Sequence, residues 1–470
     1  MKKLIHNYGI FLLLALFLVF GVIIIIGFDG TGERGSGDSI LHYLYAKHAL
    51  TMPELLLNHW AKPLFTLCAM SFAQFGIIGM KVFNLIISAL TILFTYKTAQ
   101  KLDIKLPIIV GLILFFTPLF LALTFSGLTE PLFAFALMLG IYLAIDNKML
   151  SASIVLSFLP FIRSEGLILI GVFALFLLLK KHWKYIPLLL TGHIIYSIVG
   201  SFYYSDILWV FTKIPYAKMS STYGDGGLFH FTHQLFYVIG APIYVLLIAG
   251  LLVILYRIIK VKNYLWSTTS ILIMGSFAAF FVAHSLFWYL GIFNSMGLKR
   301  VLICVAPQIS IIALIGFNGL TENTFFKSII LKRSLQTFLV LAILIFPFSG
   351  NKAGIDFEKD FELSPSQKSA IDATSYISTL KGENSTFVFS DPYLAEQLDI
   401  NYFDKNIRVE LSFDKIHEVN SNEIIIWDSW FSIVENGISQ ETIENVVELK
   451  KVKTFSTQDG GTSYIVFVKK

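Results

Sequence analysis

The chain has 470 residues, 56% of them hydrophobic and only 14% charged, with a net charge of +5. Soluble domains carry about 25% charged residues, so this balance excludes an ordinary soluble enzyme. Repeated apolar runs of about 17–25 residues predict a polytopic helical membrane protein instead. The aromatic content, 44 Phe and 20 Tyr, suits lipid-facing helices and interfacial belts. No nucleic-acid motif, nucleotide loop or internal repeat is evident, and Cys68 and Cys304 lie in apolar segments, where they read as packing residues.

The first predicted element is an apolar run over residues 10–27 behind a short basic start, Lys2 and Lys3. It is longer than a signal-peptide core and no small-residue cleavage pattern follows, so it is expected to stay as a first span, N-terminus inside. Residues 28–63 organise what comes after. Gly30, Gly32, Gly35 and Gly37 lead into Asp38 and Ser39, and an amphipathic segment sets Ile40, Leu41, Leu44 and Tyr45 against His42, Lys47 and His48. Asp38 and Ser39 suit a helix N-terminus, where orphan amides want an acceptor, so the bland reading of Asp38 is a cap. Its place just outside a span, beside a segment expected to lie along the membrane surface, points to function.

Residues 64–75 are apolar but too short to span comfortably, and are expected to be re-entrant or interfacial. Further spans are expected at 81–96, 107–124, 132–145, 151–162, 167–179, 185–202, 236–256, 266–287, 301–317 and 335–348, with a long polar loop at 203–233. Basic clusters at 97–105, 180–184, 257–262 and 327–333 fall on the same side as Lys2 and Lys3, which the positive-inside rule makes cytoplasmic. About eleven spans then leave residues 350–470 outside. There charge rises and apolar runs shorten. Helices at 365–380 and 440–450, with strands at 386–390, 423–427 and 464–468 (the last after an Asp459-Gly460-Gly461 turn), predict a small α/β domain. The expected organisation is a transmembrane domain over 1–349 and an extracytoplasmic α/β domain over 350–470, in the cytoplasmic (inner) membrane. The second domain, which lacks a phosphate-cradling glycine loop, is expected to scaffold or to serve the acceptor side.

An ionisable residue in or beside a membrane segment is costly and is by default a functional candidate. On the outer side these are Asp38, His59, Lys62, Glu130, Arg163, Glu165, Asp225, Lys299 and Arg300. Loop solvation or an internal ion pair, such as Arg163 with Glu165 or Glu130, explains any one of them. The whole set, drawn from distant segments to one membrane face, points to a shared polar cavity.

The order of these segments resembles the GT-C superfamily of membrane glycosyltransferases. A first span is followed by Gly37-Asp38, an amphipathic stretch, and then His59-Trp60-Ala61-Lys62-Pro63-Leu64-Phe65. The similarity is greatest to the bacterial branch of protein O-mannosyltransferases and the aminoarabinose transferase that acts on lipid A. Thr129-Glu130-Pro131-Leu132-Phe133 stands where these enzymes carry a second acid, and Phe161-Ile162-Arg163-Ser164-Glu165-Gly166-Leu167 resembles their R-x-E-G turn. Gly297-Leu298-Lys299-Arg300 precedes a span with an internal Pro307. The resemblance covers about residues 1–320, with two departures: Asp38 is followed by Ser39 instead of Glu, and Glu130 stands where relatives often have Asp.

The resemblance implies transfer of a sugar, with inversion, from a polyprenyl-phosphate donor to a hydroxyl of a glycan, lipid or protein at the outer membrane face. It implies Asp38 as general base with Glu130 as second acid, and Lys62 at the donor phosphate. Arg163, Lys299 and Arg300 are further phosphate candidates, and His59, Glu165 and Asp225 are candidates for sugar or acceptor. It names no certain cofactor and leaves a divalent metal open. The chemistry suits these residue types: a carboxylate takes the proton of an attacking hydroxyl, and a lipid-phosphate leaving group needs cations, with Arg suited to bidentate contacts. A transporter or flippase of a lipid-linked sugar is the main rival; it predicts charges near the bilayer midplane and often an inverted repeat. A glycan polymerase or ligase is the nearer one.

Overall fold

The long apolar runs form helices, as a chain must where lipid offers its backbone no hydrogen bonds. A computed structural model describes residues 2–32, 36–215, 221, 223–322, 328–382, 385–457, 460 and 463–470, with side chains from residue 8 onward. Seven helices among the described residues are long and apolar enough to cross a membrane: Tyr8–Gly27, Gly76–Lys101, Trp183–Tyr204, Ala241–Lys260, Thr269–Tyr289, Lys299–Thr321 and Ile329–Phe348. The protein is a multi-pass membrane protein. The other expected spans are shorter. Glu130–Ile145, Met149–Phe161 and Gly166–Leu179 are single short helices, and the segment at 107–124 breaks into Ile108–Phe115 and Pro118–Thr124. Pro118 causes that break: it has no amide proton to donate and pushes Thr117 into an extended conformation. Pro63–Ala73 has 11 residues, about 16 Å of helix at 1.5 Å per residue, well short of a hydrocarbon core of about 30 Å.

Lys299–Thr321 runs through the middle of the helices and is almost wholly buried. It packs backbone to backbone on Ala241–Lys260. A methyl group added at Gly250 would lie 1.9 Å from the Ile312 carbonyl oxygen, and one at Gly316 would lie 2.0 Å from that of Leu246. Small residues at such crossings let dispersion contacts replace the hydrophobic drive that lipid removes.

The C-terminal part forms a five-stranded sheet: β1 (Thr386–Val388), β2 (Arg408–Val409), β3 (Glu423–Asp428), β4 (Leu449–Ser456) and β5 (Ser463–Lys469), in the order β2-β1-β3-β5-β4. β1 runs parallel to β2 and β3, and β5 runs antiparallel to β3 and β4. Alternation sends Phe387, Ile424, Ile426 and Val466 to one face, where the Pro365–Leu380 helix packs and the core runs on into the membrane helices. Val388, Ile425, Trp427, Ile465 and Phe467 form a separate core on the other face. Ser364 and Gln367 close a capping box at the start of Pro365–Leu380. The helix expected over 440–450 ends early, at Glu444, and its last residues begin β4. Asp459 and Gly461 of the expected last turn lie outside the described residues.

Two contacts seat the sheet on the loops at one end of the membrane helices. The Gly30 amide donates to the Phe361 carbonyl at 2.7 Å. Glu396 accepts from the Tyr43 hydroxyl at 2.9 Å and from the Lys47 ammonium at 3.0 Å.

Candidate active site

The Asp38 loop folds as a helix, Gly37–His48, whose N-cap Ser36 makes no side-chain cap bond. Asp38 is in its first turn, not at the cap, and its carboxylate reaches across to Arg300. Ser39 anchors this turn: its hydroxyl donates to the Thr31 carbonyl at 3.2 Å and accepts from the Gly127 amide at 2.6 Å. Only glycine fits at 127, because a Cβ there would lie 2.4 Å from the Ser39 carbonyl oxygen. Asn84 pins the same loop from the Gly76–Lys101 helix, donating to the carbonyls of Ser126 (2.7 Å) and Leu128 (3.1 Å). The start of the Glu130–Ile145 helix is thereby fixed beside Asp38.

Lys62 is set differently. Asn58 Oδ1 accepts from the amides of Trp60 (2.9 Å) and Ala61 (3.0 Å), turning the chain before Lys62. Lys62 then takes φ +67°, a left-handed conformation disfavoured for a side chain with a Cβ, and Pro63 opens the next helix. Strain of this kind persists where surrounding structure over-determines it, commonly at functional sites.

These segments enclose a cavity of about 700 Å³ lined by Asp38, Lys62, Glu130, Arg163, Glu165 and Arg300, six of the predicted residues. His42, Trp60, Ser164, Tyr223, His284 and Glu435 share its wall. The charges form one chain. Arg300 pairs with Asp38 through Nη2, donates from Nη1 to the Ser36 hydroxyl at 3.0 Å, and places Nε 3.3 Å from Glu130 Oε1. Arg163 lies 2.9 Å from the same Glu130 oxygen and also donates to Thr129 Oγ1 and Glu165 Oε1, both at 3.0 Å. His284 Nε2 stands 3.9 Å beyond, against Glu165. Glu130 is held between two guanidiniums by charge, since neither of its oxygens has a well-aligned hydrogen bond. Both ion pairs named above as bland alternatives for Arg163 are therefore formed, as parts of the cavity wall.

The three acids differ in exposure. The Asp38 side chain is 41% open, Glu165 is 20% open and Glu130 is fully enclosed. Burial raises the Asp38 pKa, but Arg300 outweighs it and holds the carboxyl below its ordinary value. At Glu165 burial is likewise overcome, by Arg163 first, and the pKa sits at about 2. Lys62 is only 8% exposed and donates to the Ser164 hydroxyl at 3.2 Å. Burial lowers its pKa to about 8 against the pull of Glu165. An anion brought into the cavity would favour its charged form.

The three remaining predicted residues lie outside the cavity lining. Lys299, although adjacent to Arg300, lines a second cavity with Gln234, Tyr237, Lys352 and Lys359. The His59 ring packs on the Trp209 indole at 4.9 Å. Asp225 is exposed and lies near Gly291. In the other direction, sequence reasoning missed His42, His284, Tyr223 and Glu435. Tyr223 donates to Glu435 Oε1 at 2.7 Å, joining the segment before the His230–Ile239 helix to the C-terminal sheet domain at the cavity. His42 carried a usable signal, one helical turn from Asp38; Glu435 carried none. For a divalent metal the fit is poor. Among the described residues no three His, Cys, Asp or Glu side chains are grouped to hold one, and the cations facing Asp38 and Glu130 are guanidiniums.

No family model matches the sequence, and no curated protein matches it significantly. Solved structures do match. ArnT from Cupriavidus metallidurans bound to undecaprenyl phosphate aligns with a TM-score of 0.64 at 10% identity, over 96% of this chain and 97% of that one. Its apo state gives the same values. The apo Archaeoglobus fulgidus oligosaccharyltransferase aligns with a TM-score of 0.57 at 11% identity, over 97% of this chain and 74% of that one. The chain therefore has the fold of these GT-C glycosyltransferases along nearly its whole length.

Proposed function

We propose that the protein is a membrane glycosyltransferase that moves a sugar from a polyprenyl-phosphate donor to a hydroxyl acceptor, at the outer face of the cytoplasmic membrane. One observation carries this reading. A single cavity holds an open, ionised carboxylate, Asp38, together with a buried ammonium, Lys62, that gains from an anion. The undecaprenyl phosphate bound by the ArnT of the same fold supports a lipid-phosphate donor.

In this reading the acceptor oxygen attacks the anomeric carbon as its proton passes to Asp38. The bond from that carbon to the phosphate oxygen breaks, its electron pair leaves on the lipid phosphate, and the configuration inverts. Lys62 and Arg163 stabilise the leaving phosphate, where preorganised cations in a water-poor site act most strongly. Arg300 keeps Asp38 ionised and aimed. Glu130 is a positioning residue: enclosed between Arg163 and Arg300, it cannot reach an acceptor but fixes both guanidiniums. The Pro63–Ala73 helix, beside Lys62, would bed the prenyl chain.

The test is to offer purified protein in lipid nanodiscs a panel of labelled polyprenyl-phosphate hexoses and pentoses with glycan, lipid and peptide acceptors. A new glycosidic bond and released polyprenyl phosphate are expected. Movement of the lipid-linked sugar across a reconstituted bilayer, with no new bond, would favour a transporter instead.

A further inference from the structure

One imidazole in the cavity has no part in the chemistry above. His42 follows Asp38 by one helical turn, so the two side chains share a face of the Gly37–His48 helix. It is 6% exposed and lines the cavity, and its Nδ1 is enclosed with no hydrogen-bond partner. Packing does not call for an imidazole there. Trp60 stacks on the ring at 4.7 Å and 24°, and Phe65 meets it edge-on at 5.3 Å. A phenyl ring would fill that slot without leaving a ring nitrogen unsatisfied, a state that buried polar groups ordinarily avoid.

Its electrostatic setting keeps the ring uncharged. Burial lowers the His42 pKa to about 3 against the pull of Asp38, and Lys62, Arg163 and Arg300 add to the fall. A neutral imidazole offers one N–H and one lone pair. Whichever ring nitrogen faces the cavity suits a hydroxyl, which donates to a lone pair or accepts from an N–H, whereas a phosphate, which only accepts, can use the N–H alone. Position narrows the ligand further. On one side, within the same helix, is the proposed base; on the other is Trp60, two residues before the lysine assigned to the phosphate. Between a base and a leaving phosphate lie the attacking hydroxyl, which the base takes, and the sugar being transferred, whose ring hydroxyls are left for His42.

We infer that His42 is a sugar-binding residue of the donor site: its neutral imidazole takes a ring hydroxyl of the lipid-linked sugar, backed by Trp60. The inference rests on the cavity being a glycosyl-transfer site. Binding is measured with two lipids, polyprenyl phosphate without sugar and the panel of polyprenyl-phosphate hexoses and pentoses. His42→Phe keeps the stacking and removes both polar functions. It should lose tenfold or more in affinity for the sugar-bearing lipid that wild type prefers, with affinity for the sugarless lipid unchanged. His42→Gln should recover part of that loss. Equal losses for both lipids, or none for either, would overturn the inference. Wild type that binds neither lipid overturns the donor-site reading and this assignment together; wild type that binds both, with His42→Phe behaving identically, overturns this assignment alone. Should His42→Phe not fold, wild type labelled with ¹⁵N-histidine decides, with His42→Gln giving the resonance assignment. The His42 ring signal should move on adding the sugar-bearing lipid and stay put with the sugarless one, and the reverse result contradicts the inference.

Discussion

Two groups of carboxylates behave in opposite ways. In the cavity, Asp38, Glu130 and Glu165 are threaded on Arg300 and Arg163, and burial loses to guanidinium charge, so that Asp38 and Glu165 titrate below their ordinary values. In the C-terminal sheet, Asp391 and Asp428 are sealed behind β1 and β3 with hydroxyl and amide donors. Asp391 accepts from the Tyr464 hydroxyl at 2.5 Å and the Tyr393 amide at 2.9 Å. Asp428 accepts from the amides of Trp430 (3.0 Å) and Phe431 (2.6 Å) and from Ser432 Oγ at 3.0 Å. There burial wins and raises both carboxyls, with the charge of Asp391 adding to the rise at Asp428. Burial alone therefore does not mark a working acid. What separates the two groups is the guanidinium charge beside the cavity acids, and under the proposed function the opening of Asp38 toward a ligand. The sheet pair instead holds the turn that rests Phe431 on Gly37 and sets Glu435 at the cavity wall.

The sharpest way to break this contrast is to remove the centre of the cavity chain. Glu130→Gln removes the carboxylate that Arg163 and Arg300 share, leaving two guanidiniums close together with only their outer partners, Glu165 and Asp38. Breaking a buried pair in this way costs about 3–5 kcal/mol, and transfer should fall by about 10²-fold or more as the guanidiniums drift from place. Turnover and thermal unfolding of the purified variant check both. Unchanged turnover would reduce Glu130 to an acid that favours the helix dipole.

Lys62 comes next, through pH. It is charged below about 8 and neutral above, so kcat/KM for the donor should fall about tenfold per pH unit beyond that point. Lys62→Arg keeps its charge and should lose this basic limb; a limb that persists belongs to another group. Stability has the opposite sign. Because the folded pKa lies below the ordinary 10.5, the unfolded state binds more protons between those values, and stability should rise with pH from about 8 to 10.5. Lys62→Met, free of the buried ammonium, should unfold at a higher temperature at neutral pH while donor-lipid binding is lost.

The smallest effect on transfer belongs to the sheet. Its two carboxyls are raised, so the folded state holds protons that the unfolded state releases above 3.8. Stability should fall as pH rises from there, and Asp428→Asn should flatten that slope while changing turnover far less than any cavity variant. A pH-independent wild-type melting temperature, or turnover lost as fully as in Glu130→Gln, would erase the distinction between the two clusters.

Much of the cavity was legible in sequence, because short motifs at the same end of several helices converge once the spans are placed. Six candidates meet there. Lys299 does not, for a reason that adjacency hides: the pair opens a 3₁₀ turn, in which successive residues point about 120° apart, so only one of the two can face Asp38, and Arg300 does. His42 looked like any polar residue on an amphipathic helix, since periodicity separates polar from apolar faces but not water from a cavity. Glu435 joins the site only through the docking of a domain more than a hundred residues away. Within that domain β4 was missed because Lys450, Lys451 and Lys453 make it read as a polar helix end. Lysines are how an edge strand avoids pairing with strangers. The break at Pro118 was visible as a proline and lost within an otherwise unbroken apolar run.

The most direct measurement uses Asp38→Asn, because Asn keeps the shape and removes the charge and the basic oxygen. Product formation from a polyprenyl-phosphate sugar and binding of polyprenyl phosphate are measured side by side on purified wild type and variant. Transfer should fall by about 10²–10⁴-fold, the usual loss with a general base, while lipid binding through Lys62 stays near that of wild type. Comparable product from the two proteins would contradict a catalytic Asp38, and parallel loss of product and lipid binding would make it a structural residue of the cavity.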